Sequence, residues 1–206
     1  MQSNLEKMTI SNSYKKEQSA IRRLLFSFLL ALFYLLPNLL IAQEKIKEIA
    51  IGYSIIHEKL PEGYNYTPLF FTARFPLHQF KAKRKSFFTA FAEPQFILNN
   101  PPNPFPATFE FGVNLGFKYF IPFTEKNGLA FALSAGPHYL SLETSIQAKG
   151  FIFSDNIEMG YYQQLGKRFG GSLKSRFRHI SNAGFLSPNI GIDNLFLMVG
   201  FTWKVL

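Results

Sequence analysis

The stretch "TFEFGVNLGFKYF", residues 108–120, decides how the chain is read. Phe109, Phe111, Val113, Leu115, Phe117 and Tyr119 fall on one side of a period-two repeat. Thr108, Glu110, Gly112, Asn114, Gly116 and Lys118 fall on the other. A period of two is a β-strand, with successive side chains on opposite faces. One face is wholly apolar and the other wholly small or polar. That is the pattern of a strand between hydrocarbon and a polar lumen.

Seven further segments alternate in the same way, approximately 46–57, 66–77, 86–98, 129–142, 151–164, 171–181 and 192–206. Turn-rich separators stand between them, among them "PEGYN", "HQFKAKRK", "NNPPNPFP", "TEKNG" and "GKRFGG". Each segment exceeds the five or six residues usual for a soluble strand and meets the roughly nine to eleven needed to cross a bilayer. Pro68, Pro94 and Pro137 fall inside predicted strands, where each costs a ladder hydrogen bond unless a bulge absorbs it. An unpaired backbone amide in hydrocarbon costs several kcal/mol, so the sheet must close. The predicted fold is all-β, an eight-stranded antiparallel transmembrane β-barrel. In the last segment Leu195, Leu197, Val199, Phe201, Trp203 and Val205 share a face, with Trp203 suited to an interfacial belt. The chain ends in Leu206, whereas barrel assembly signals usually end in an aromatic residue.

Upstream, Lys15, Lys16, Arg22 and Arg23 precede the apolar run "LLFSFLLALFYLLPNLLIA". A basic region, an apolar region and a small residue before Gln43 predict a signal peptide over 1–42, cleaved after Ala42 to leave a barrel over 43–206. A retained membrane helix is the rival reading, disfavoured because Pro37 and Asn38 interrupt the run. Residues 43–206 carry 17 Lys and Arg against 11 Asp and Glu, a net charge of +6. In an exported protein this basicity fits anionic lipid headgroups or simple hydration better than nucleic acid. With no cysteine, disulfides and thiolate metal sites are excluded.

With the N-terminus periplasmic, the basic "FKAKRK" and "GKR" turns fall inside and the 182–191 loop falls outside. Across "SRFRHISNAGFLSPNIGID", residues 175–193, parity makes a sharper prediction. Lys174, Arg176 and Arg178 must face the lumen, since three cations cannot line lipid cheaply. Phe177, His179 and Ser181 therefore face outward, and on the last strand so does Asp193. His179 and Ser181 stand about 6.6 Å apart along the strand, and the neighbouring strand is about 4.8 Å away. A hydroxyl needs a base to become a nucleophile, and a carboxylate holds that base in the right tautomer. Asn182, Asn189 and the amides around Ala183 and Gly184 are candidate donors to an oxyanion. Phe185 and Leu186 are candidates for acyl-chain contact or membrane anchoring, and Lys149 is a weaker candidate for a lipid phosphate. His57, His78 and His138 lack metal-like spacing and read as interface or loop residues, so no metal site and no cofactor are predicted.

"HISNAG" followed by "PNIGID" resembles the signature of the outer-membrane lipid A 3-O-deacylases, the PagL-like family. The matching positions are His179, Ser181, Asn182, Gly184, Asn189, Gly191 and Asp193, a sharp match over about fifteen residues. The resemblance implies a Ser–His–acid esterase on the outer wall of an eight-stranded barrel in the cell outer membrane, removing a 3-O-linked acyl chain from lipid A. Founding members carry Glu at the acidic position. Aspartate is a methylene shorter, so its strand must come closer or orient the imidazole less firmly. The implied partners are lipid A in lipopolysaccharide, outer-membrane lipid and, as an open alternative, a second copy in a homodimer. Two rival readings stand beside this one: a non-catalytic small outer-membrane barrel, adhesin or structural, and a soluble lipocalin-like barrel.

Overall fold

Eight strands account for all the regular structure among the residues described, 45–82 and 86–205 of a computed structural model. The predicted signal segment lies outside them. The strands are β1 (Lys45–His57), β2 (Leu69–Lys81), β3 (Phe87–Asn99), β4 (Thr108–Pro122), β5 (Asn127–Leu140), β6 (Gly150–Gln164), β7 (Phe169–Ser181) and β8 (Ile192–Val205). Each pairs antiparallel with its neighbours, and β1 pairs with β8 to close the barrel. Closure leaves no sheet edge in hydrocarbon.

Short turns join the strands at the end where both chain termini of the barrel lie. Longer loops, 58–68, 100–107, 141–149 and 182–191, join them at the other end. Outer-membrane barrels place their long loops outside the cell. The predicted alternation on β4 is met: Phe109, Phe111, Leu115 and Phe117 are exposed on the outer wall, while Glu110 and Asn114 are fully buried in the lumen. The same rule places Ile49, Ile51, Leu133, Ile157, Leu173 and Val199 outside.

Pro94 and Pro137 lie within strands without shifting the register. The β2–β3 ladder simply lapses beside Pro94, between the Thr72–Gln95 and Phe75–Ala92 pairs, and Thr72 Oγ1 donates to the Pro94 carbonyl (3.2 Å). The β4–β5 ladder lapses in the same way beside Pro137. Pro68 precedes β2. That strand starts later than its alternation suggested, at Leu69, and it ends later because a bulge at Pro76/His78 carries pairing on to Phe80 and Lys81.

Polar side chains fill the lumen. Arg74 bonds Glu158 (Nη1–Oε1, 2.9 Å) and Glu93 (Nη2–Oε2, 2.5 Å). Arg176 bonds Glu93 (Nη1–Oε1, 2.8 Å) and Glu158, and Lys174 reaches Glu48 (3.0 Å). Nearer the exterior, Glu110 serves both Arg178 and His138 (Nδ1–Oε1, 2.5 Å). His138 is thus a buried luminal residue rather than an interface or loop histidine. The small residues around it on β5 leave little alternation from which to read its side. Above this network an apolar cluster of Leu60, Tyr64, Tyr66, Leu140, Leu142, Ile152, Ile180 and Ile192 closes the external mouth.

Candidate active site

The end of β7 and the start of β8 run side by side at the external rim. Ile180 and Ile192 point in, into the apolar cluster, which forces their neighbours His179, Ser181 and Asp193 out. His179 and Asp193 are direct cross-strand partners, and His179 Nδ1 meets Asp193 Oδ1 at 2.6 Å. Their side chains are 37% and 56% exposed, so the pair stands on the barrel wall and not in the lumen. The shorter acid reaches the ring because it lies directly opposite. Ser181 ends β7 on the same outward face, two residues from His179, across from Phe153 of β6. His179 Nε2 and Ser181 Oγ make no hydrogen bond to any described residue.

Gly191 allows the imidazole its seat. A Cβ there would stand 2.5 Å from His179 Cε1 and 2.8 Å from the Ile180 carbonyl, and its φ of +91° is one that L side chains rarely adopt.

Loop 182–191 is organised by two asparagines. The fully buried Asn182 carboxamide is committed within the loop: Nδ2 donates to the carbonyls of Leu186 (2.8 Å) and Pro188 (3.4 Å), and Oδ1 accepts from Gly184 N–H (3.0 Å) and Leu186 N–H (3.4 Å). Asn182 N–H donates to Asn189 Oδ1 (2.6 Å), which leaves the Asn189 Nδ2 hydrogens without a partner among the described residues. Ala183 takes φ +53°, followed by Gly184 at +79°, so the chain turns sharply just after Ser181. The Ala183 N–H also lacks a partner among the described residues. Phe185 swings onto the outer wall, its ring 6.1 Å from that of Phe151 and 6.3 Å from that of Phe153. Leu186 is half-buried beside it.

Loop 141–149 braces this arrangement. Ile190 N–H donates to the Ile146 carbonyl (2.8 Å) and Ala148 N–H to the Pro188 carbonyl (2.9 Å), flanking a bridge between Gln147 and Asn189. Glu62 in turn accepts from Ser145 N–H (2.7 Å). Desolvation pushes the Glu62 carboxyl up, but hydrogen bonding from Ser145 and from its own backbone together holds it below the usual range. Glu58 accepts from Asp193 N–H (3.1 Å). Lys149 is ion-paired with Glu143 at 2.5 Å on the exposed loop surface.

One neighbour was not anticipated from sequence. Asp155 of β6 pairs across from His179 on the side away from Asp193, and it is exposed. Its outward parity on β6 was the available signal. A furrow of about 570 Å³ begins at His179 and Asp155 and crosses the wall over Ala135, Ser134 and Gly116, between the flanks of Phe117, Leu133 and Ile157. An apolar trough is therefore continuous with the histidine.

The chain is similar in fold to the outer membrane enzyme PagL, whose crystal structure it matches with a TM-score of 0.58 at 15% identity, over 75% of this chain and 97% of that one. A comparison with curated protein sequences finds no match. The sequence profile described as lipid A 3-O-deacylase (PagL) matches residues 63–202, from the first external loop into β8. The chain belongs to the lipid A 3-O-deacylase (PagL) family of outer-membrane enzymes.

Proposed function

We propose that the protein is an esterase of the outer leaflet that hydrolyses the 3-O-linked acyl chain of lipid A, with Ser181 as nucleophile, His179 as base and Asp193 as the acid that orients it. The observation that carries this reading is the outward His179–Asp193 pair with Ser181 on the same face, at the rim where lipid A lies. Ester bonds of an outer-leaflet lipid sit just below its headgroups. A lipid-facing site at that depth meets them without drawing substrate into water.

Ser181 Oγ attacks the ester carbonyl as its proton passes to His179 Nε2, the nitrogen not engaged with Asp193. Asp193 holds the Nδ1–H tautomer and stabilises the imidazolium, and Asp155 adds a second negative charge on the other side of the ring. The tetrahedral oxyanion takes hydrogen bonds from the Ala183 N–H and the Asn189 Nδ2, while Asn182 and Gly184 hold the loop in shape. Collapse breaks the bond to the sugar oxygen, which leaves with the proton from His179. Water, deprotonated by the same imidazole, then releases the 3-hydroxy fatty acid and restores Ser181. Catalytic hydrogen bonds often tighten only in complexes, so the Ser181–His179 bond is expected to form as the ester enters. Phe185, Leu186 and the wall furrow are suited to acyl chains.

Mass spectrometry of lipid A incubated with the purified protein tests this. Loss of one hydroxyacyl unit is expected, and Ser181→Ala and His179→Ala each cut the rate by about 10³-fold or more. Wild-type rates in both variants would leave only a non-catalytic barrel.

A further inference from the structure

The lumen is sealed at one end and open at the other. Towards the periplasm it widens into a cavity of about 570 Å³, separate from the wall furrow. Lys118 of β4 forms its floor, with Nζ 4.8 Å from the centre of the Tyr162 ring. Tyr162 is itself fixed, its hydroxyl donating to Glu48 Oε2 (3.1 Å). Lys126, Lys167 and Arg168, from two periplasmic turns, ring the opening, and Glu125 is the one carboxylate among the described lining residues.

Luminal charge does not balance within the described residues. Glu48, Glu93, Glu110 and Glu158 face the cations Arg74, Lys174, Arg176 and Arg178, each of which is ion-paired. Lys118 is a fifth cation and forms no ion pair with a described residue. A cation in a low-dielectric lumen is costly unless compensated, and this one faces the cavity. Lysine binds phosphate as a point charge, and a like-charged rim with low-dielectric walls concentrates an anion at the mouth.

We propose that this vestibule is a binding site for a phosphate-bearing anion entering from the periplasm, with Lys118 meeting the phosphate and Lys126, Lys167 and Arg168 drawing it in. Four lining cations against one carboxylate suit a dianion better than a single carboxylate. The phosphate is that of a small soluble ester or of a phospholipid headgroup at the inner leaflet. The site is independent of the wall-borne esterase chemistry.

The purified barrel in non-ionic detergent, titrated with inorganic phosphate and with glycerol 3-phosphate by calorimetry, is expected to bind one equivalent saturably. Lys118→Gln weakens binding at least tenfold, while Lys59→Gln on the exposed external loop leaves it unchanged. Should Lys118→Gln fail to fold, the double variant Lys167→Gln/Arg168→Gln in an exposed turn carries the test, with a loss of threefold or more. In nanodiscs containing phosphatidylglycerol, loss of glycerol phosphate binding identifies the headgroup as occupant, and retained binding identifies the soluble ester. Absence of saturable binding by both probes, or binding unmoved in the basic-residue variants, overturns the proposal.

Discussion

His179 and Asp193 face each other as direct partners in the β7–β8 ladder, with the imidazole Nδ1 and the carboxylate Oδ1 2.6 Å apart on the lipid side of the wall. Directly opposed residues bring their Cβ atoms within roughly 4.5–5.5 Å, a span that suits the short acid. Asp193→Asn keeps the shape but lets the amide bond the wrong tautomer, and kcat is expected to fall about 10⁴-fold. Asp193→Glu retains activity within about tenfold, since the longer acid can flex outward. Single-turnover acyl release from purified lipid A distinguishes the two.

Gly191→Ala puts a methyl group against the His179 ring and strains a positive φ. The barrel should assemble, because the loop lies outside the ladders, while displacement of the imidazole costs about 10²-fold in rate. The check is a gel mobility shift for folding alongside the acyl-release assay. Normal activity would mean that the ring does not need its present seat.

Asn189→Ala removes the proposed oxyanion donor and leaves the Asn182 N–H without its acceptor. A drop in kcat of about 10²- to 10³-fold is expected, with a smaller change in KM. Asn189→Asp separates the two roles: it keeps the acceptor for Asn182 but cannot donate to the oxyanion, so its rate should remain low.

Arg176 is fully buried and bonded to both Glu93 and Glu158. Arg176→Met leaves Glu93 to Arg74 alone and Glu158 to Arg74 and Lys174, one buried cation short, and should destabilise the barrel by about 3 kcal/mol, read from urea unfolding in detergent. Paired with Glu93→Gln, much of that loss should return.

Alternation made most of the barrel legible. On β4 the two faces differ so sharply that one strand reveals the bilayer, and on β7 the cations Lys174, Arg176 and Arg178 fix which side His179 must take. The bounds of β2 were less visible, because a bulge beside Pro76 extends pairing into residues with turn chemistry. At the other end of the sequence distance scale, the flank of the site supplied by Asp155 depends on which strand lies beside β7 and in what register. The bracing of Asn189 by Ile146, Gln147 and Ala148 depends on two loops meeting over the rim, which no local pattern encodes.

The inward neighbours of His179 and Asp193 have a consequence for the cell. Ile180 and Ile192 belong to the plug that stops the external mouth, so the strands proposed to carry the chemistry also stopper the barrel. Many copies could occupy the envelope without letting detergents, antibiotics or ions leak through, and a planar-bilayer recording should show no conductance steps.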